Sequence, residues 1–150
     1  MKRRIEYYQM GSEGLKLMLQ VEAFIKTMSI EPSLRELIKI RASQINGCAF
    51  CLSMHTQEAR QAGETEQRLY CLSAWRECTF YTERERAALA LTEAVTLISQ
   101  HGVSDALYNE VRGQFNEKEY LDLVLLINQI NSWNRLSIAM GNTPEQTASH

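Results

Sequence analysis

Asn46-Gly47-Cys48-Ala49-Phe50-Cys51-Leu52-Ser53-Met54-His55 sets a CxxC, with a histidine four residues beyond its second thiol, between two helical patterns. Asn46-Gly47 is a helix-ending pair, and the chain from Cys48 reads as helix as far as Ala62-Gly63. On such a helix Cys48 and Cys51 stand at i, i+3 and Cys51 and His55 at i, i+4, so all three share one face. The free N–H groups and partial positive charge of a helix start favour thiolate over thiol. An imidazole one turn away can take a thiol proton or stabilise the thiolate once formed. These parts suit a dithiol that reacts with peroxide or exchanges with another disulfide. Within a βαβ pattern the same CxxC would point to a thioredoxin fold; between helices it points to an all-α chain.

The flanking sequence agrees. Leu15, Met18, Leu19, Ile25 and Met28 predict an apolar stripe on a first long helix. Glu31-Pro32 reads as a helix start, and Leu34, Leu37, Ile38 and Ile45 repeat at helical spacing up to Asn46-Gly47. Leu69, Leu72 and Trp75 make a short amphipathic segment. Thr82-Glu83-Arg84-Glu85 has capping-box spacing and opens a helix through Ala88, Leu91, Val95 and Ile98, closed near Gly102. Ser104 caps a short helix to Gly113. Asn116 and Glu119 start the last long helix, apolar through Leu121, Val124, Ile127 and Ile130 and ending at Met140-Gly141. Residues 142–150 show no periodicity and are expected to be mobile. No strand-like alternation bounded by turns occurs. The expectation is a single all-α domain over residues 1–150, a helical bundle with its core motif at residues 30–62.

At 150 residues the chain fits one domain and can bury roughly two thirds of its unfolded surface. A net charge of -2 gives no electrostatic reason to expect nucleic acid or an anionic membrane as partner. Met1-Lys2-Arg3-Arg4 has the charge of an export signal, but Ile5-Glu6-Tyr7-Tyr8-Gln9 supplies no apolar stretch after it, so a cytoplasmic protein is expected. The run Leu123 to Ile127 is too short to span a bilayer. Four cysteines in such a chain are expected to be free, catalytic or metal-bound rather than a structural disulfide framework.

The stretch Glu36-Leu-Ile-Lys-Ile-Arg41-Ala-Ser43-Gln-Ile-Asn46-Gly47-Cys48-Ala-Phe-Cys51-Leu-Ser-Met-His55 resembles the core pattern of alkylhydroperoxidase D-like proteins in the carboxymuconolactone decarboxylase superfamily. Trp75 through Ala94 and Ile130-Asn131-Ser132-Trp133-Asn134-Arg135 resemble that family's later segments, so the resemblance covers roughly residues 30 to 140. It implies an all-helical fold, assembly into homo-oligomers (trimers or hexamers) and thiol-dependent peroxidase activity. It also implies a relay on Glu36, Cys48, Cys51 and His55. Cys51 would attack the peroxide and Cys48 would close the disulfide. His55 would act as base, and Glu36, from the preceding helix, would orient it. No bound cofactor or metal is implied; an external dithiol or a partner protein must reset the disulfide. One departure is Phe50, where some members carry a histidine before the second cysteine. The two thiols also present a conflict: the helix start favours Cys48 as nucleophile, whereas the i+4 histidine and the family pattern favour Cys51.

Other readings compete. An isolated CxxC can be half of a zinc site, with His55 and one of Cys71, Cys78 or His101 completing it. A carboxymuconolactone decarboxylase-like lyase is a second alternative, although decarboxylation needs no dithiol. A non-enzymatic redox sensor is a third. Cys71 and Cys78 read as small apolar fillers, and Trp75 and Trp133 as core or interface anchors. Met10, Met18 and Met28 read as packing. Trp133 and the apolar run from Leu121 to Ile130 offer more apolar helix than one small domain covers, which also favours a homo-oligomer.

Overall fold

Caps start most of the helices in the computed structural model, which describes residues 3–145. Ser12, Cys48, Thr65, Thr82, Ser104 and Asn116 each accept a hydrogen bond from a backbone N–H three residues on, satisfying donors that a helix start leaves unpaired. Thr82 with Glu85, and Asn116 with Glu119, form reciprocal capping boxes. The elements run α1 (Glu13–Ile25), α2 (Pro32–Asn46), α3 (Ala49–Gln61), α4 (Glu66–Cys71), α5 (Glu83–Thr96), α6 (Asp105–Arg112) and α7 (Glu117–Met140). Short 3-10 segments at Tyr7–Met10 and Leu72–Glu77 complete them. Among the described residues there is no strand, and no helix is long and apolar enough to cross a membrane.

Helix α2 is the axis of the fold, packed against α3, α5 and α7. Its Leu34 and Ile38 face one core with Ile25, Leu91, Phe115, Leu126 and Ile127. Its Leu37 and Ile40 face a second core with Ala59, Leu72, Trp75 and Leu89. A helix apolar on opposite sides belongs in the interior, and α2 accordingly buries its middle turns, Lys39 included.

The apolar spacing expected of α2 matches its buried face, and at three other places the structure differs from the expected spacing. On α1 only Ile25 is buried, while Leu17, Leu19, Val21 and Phe24 lie exposed beside it. Of the expected stripe Ile25 and Met28 are buried, Leu15 and Met18 half-buried and Leu19 exposed, while Leu17, Val21 and Phe24 form a further apolar face that this chain leaves open. On α7 the buried register runs through Leu123, Leu126, Ile127, Ile130 and Asn134, and Leu121 points to solvent. The core side of this helix is partly polar, so apolar spacing alone misplaces it. Helix α5 ends at Thr96, leaving Ile98 exposed in the following turn. Met28 is buried as packing, whereas Met10 is exposed. Of the segment expected to be mobile, Asn142 is held: its Nδ2 donates to the Tyr7 hydroxyl at 2.6 Å and its backbone N–H to Ser137 O. Residues 146–150 lie outside the described residues.

Candidate redox site

The link between α2 and α3 determines where the dithiol sits. Gly47 ends α2 in the left-handed region at φ 67°, which a side chain would strain. The chain then reverses so that Cys48 becomes the N-cap of α3, its Sγ accepting from Cys51 N–H at 3.4 Å. Cys48 and Cys51 have Cα atoms 5.4 Å apart, and their sulfurs pair at disulfide distance, a separation that suits a bridge. A buried polar layer holds this turn from below. Asn46 Nδ2 donates to both Asn131 Oδ1 and Asn134 Oδ1 at 2.9 Å. Asn134 Nδ2 donates to Ser43 Oγ, and Asn131 Nδ2 to Thr96 Oγ1. Three helices thus fasten the residue two positions before Cys48.

Cys51 opens onto a cavity of about 570 Å³ whose lining includes Glu36, Lys39, Phe50, Met54, His55 and Trp133. Cys48 is not part of that lining. His55 is nearly fully buried and faces carboxylates at one nitrogen: Nδ1 lies 2.9 Å from Glu36 Oε2 and 3.0 Å from Glu58 Oε2. Ionised carboxylates only accept, so Nδ1 carries the proton. In the neutral ring Nε2 is then the free lone pair, the tautomer a base requires. Burial pushes the Glu36 carboxyl up, but the His55 hydrogen bond and the Lys39 charge outweigh it and hold the group below its ordinary range. Burial likewise pulls the Lys39 ammonium down, and Glu36 and Glu22 more than reverse this.

The expected residues Glu36, Cys48, Cys51 and His55 therefore converge. Glu58, Lys39, Glu22 and the asparagine layer were missed. Glu58 at i+3 from His55 was findable by spacing, as was a lone lysine between Ile38 and Ile40; the asparagines meet only through the tertiary fold. Trp133 is half-buried at the cavity wall, its Nε1 donating to Glu22 Oε2 at 3.2 Å, so it belongs to the site as well as to packing. Arg41 instead pairs with Glu93, and Arg135 with Asn131. Cys71 and Cys78 are half-buried elsewhere, and His101 lines a different cavity beside Trp75.

These positions take away the sequence-based zinc set. Among the described residues, Glu36, His55 and Glu58 bring ligand atoms within 4.8 Å of one another. Their contacts at Nδ1 have hydrogen-bond lengths, which accounts for the convergence without an ion.

The carboxymuconolactone decarboxylase family model matches residues 14–94. The uncharacterized protein YdfG of Bacillus subtilis is 58% identical over 142 residues, covering 95% of this chain and 97% of that one. A solved structure from Agrobacterium tumefaciens, a protein of unknown function suggested to be the antioxidant defence protein AhpD, is 38% identical. It superposes with a TM-score of 0.92 over 97% of this chain and 100% of its own. A peroxidase-related protein from Silicibacter shares the fold at TM-score 0.78 and 23% identity, over 89% of this chain and 71% of that one.

His55→Gln keeps a polar side chain and removes the base. The rate at which reduced protein is alkylated at Cys51 by iodoacetamide near pH 7 should fall about a hundredfold, the low end of what general-base catalysis supplies. Glu36→Gln should act in the same direction and less strongly. Parental rates in both variants, with the helical signal intact, would remove the relay.

Proposed function

The chain belongs to the carboxymuconolactone decarboxylase family, and on that premise we propose that it is a thiol-dependent peroxidase of the alkylhydroperoxidase D type. The observation that carries the reading is the division of labour in the CxxC: Cys51 lines the cavity beside His55, and Cys48 waits behind it within bridging distance. A decarboxylation would have no use for that pair. The likeness to the Agrobacterium protein suggested to serve antioxidant defence supports the same reading.

In the proposed cycle His55 Nε2 takes the Cys51 proton, and the thiolate attacks the peroxide O–O bond. An alcohol or water leaves with the proton, and Cys51 becomes a sulfenic acid. Cys48 attacks that sulfur, water departs, and the disulfide forms; two electrons have passed from the dithiol to the peroxide. An external dithiol, or a partner protein carrying one, restores both thiols by exchange. Glu36 holds the Nδ1–H throughout. Apart from that external reductant, the proposed cycle calls for no bound cofactor or metal.

We further propose that the protein works in the cytoplasm as a homo-oligomer, a trimer or hexamer by family resemblance. The open apolar face of α1 supports association. Light scattering at micromolar concentration should give a mass at a multiple of three chains, and a stable monomer would remove this part of the proposal.

The two thiols have separate roles in this scheme. After a stoichiometric pulse of organic hydroperoxide, Cys48→Ser should carry a sulfenic acid on Cys51 and form a mixed disulfide with added thiol. Cys51→Ser should stay unmodified. Mass spectrometry finding oxidation at Cys48 in the Cys51→Ser protein, with Cys51 untouched in the other, would reverse the assignment.

A further inference from the structure

Lys39 is a buried ammonium, 7% exposed, in a helix turn whose neighbours are Leu37, Ile38 and Ile40. Burying such a charge is unfavourable unless partners neutralise it, and Lys39 has two. Its Nζ lies 2.8 Å from Glu22 Oε1 on α1 and 3.4 Å from Glu36 Oε1, one turn back on α2. Each carboxylate divides its oxygens between two donors. Glu36 gives Oε1 to Lys39 and Oε2 to His55; Glu22 gives Oε1 to Lys39 and Oε2 to Trp133. A continuous chain therefore runs from Trp133 on α7 through Glu22, Lys39 and Glu36 to His55, one helical turn from Cys51.

We infer that Lys39 is a positioning residue for the dithiol site, clamping Glu36 so that the carboxylate presents one fixed oxygen to His55, with Glu22 and Trp133 holding the lysine in place. The inference rests on the reading of His55 as the base for Cys51. It follows from two features of the geometry. First, His55 has a second carboxylate within reach, and Glu58 is half exposed. Without the clamp Glu36 would be free to turn, and the imidazole would fall to an acid that water can loosen. Second, two carboxylates crowd one imidazole nitrogen, and like charges so close repel unless a cation stands beside them. The ammonium offsets one of those negative charges. The other charged or titratable groups lining the cavity are Lys26 just after α1, Arg35 on α2 and Tyr8 before α1, while α7 adds only the neutral Trp133 and Ser137.

The test uses alkylation of Cys51 in the reduced full-length protein as a function of pH, read by peptide mass spectrometry. Removing a cation from a group of coupled sites raises the pH at which the reactive form appears. Lys39→Met should move the acid limb upward by about half a pH unit or more and slow alkylation near pH 7 several-fold. Glu22→Gln, which releases the lysine from α1 without removing its charge, should move the limb in the same direction by less. Lys39→Arg, which keeps the cation, should restore most of the parental profile. In a His55→Gln background, Lys39→Met should add little. An unmoved limb in both Lys39→Met and Glu22→Gln, or a Lys39→Met shift that persists in full without His55, would overturn the inference. Because alkylation requires no peroxide turnover, an absence of peroxidase activity in the parental protein alongside this pattern would count against the proposed function and leave the positioning role intact.

Discussion

Helix α2 is packed against α3, α5 and α7, and the charges in its middle turns, Glu36, Lys39 and Arg41, each find a counter-charge inside the protein. That constraint organises the molecule. Lys39 and Glu36 neutralise each other and recruit Glu22 from α1. Arg41 is met by Glu93 on α5, which also accepts from Trp75 Nε1. These links tie α2 to helices on both sides while leaving Leu37 and Ile38 free to serve the two cores. Since a broken buried pair leaves an uncompensated charge, the ionic skeleton fixes α2 more strictly than apolar packing alone would. Glu36 inherits that rigidity, and with it the orientation of His55.

The dithiol is placed by a different device, a sharp turn braced with amides. Gly47 supplies the left-handed conformation, and Asn46 is held by Asn131 and Asn134 from the longest helix. Buried amides are favourable only when satisfied, so this layer admits few alternative arrangements. The result is an asymmetric pair, with Cys48 as the helix cap and Cys51 at the cavity. Asymmetry of this kind suits a couple in which one sulfur meets the substrate and the other closes the bridge.

Much of this was legible in the sequence, and the exceptions have physical reasons. Local rules located the helices because their caps, Thr82 with Glu85 and Asn116 with Glu119, are written within four residues. The CxxC and His55 share a helix, so their spacing gave their common face. Glu36 arrived only through resemblance, since nothing local shows that it crosses to α3. Lys39 and the asparagines went unread because single-sequence patterns treat polar residues as surface, whereas here they are interior and paired. The apolar stripe expected on α1 is only partly covered, with Ile25 and Met28 buried and Leu19 exposed; a sequence shows that a face is apolar but not what covers it.

The central claim is that Cys48 and Cys51 form a dithiol that a hydroperoxide oxidises. The most direct measurement is a count of free thiols in the fully reduced protein, before and after one equivalent of an organic hydroperoxide, with peptide mapping of the product. The chain has four cysteines, so the count should fall from four to two with a Cys48–Cys51 bridge as the product. An unchanged count, or a bridge involving Cys71 or Cys78 instead, would contradict the account.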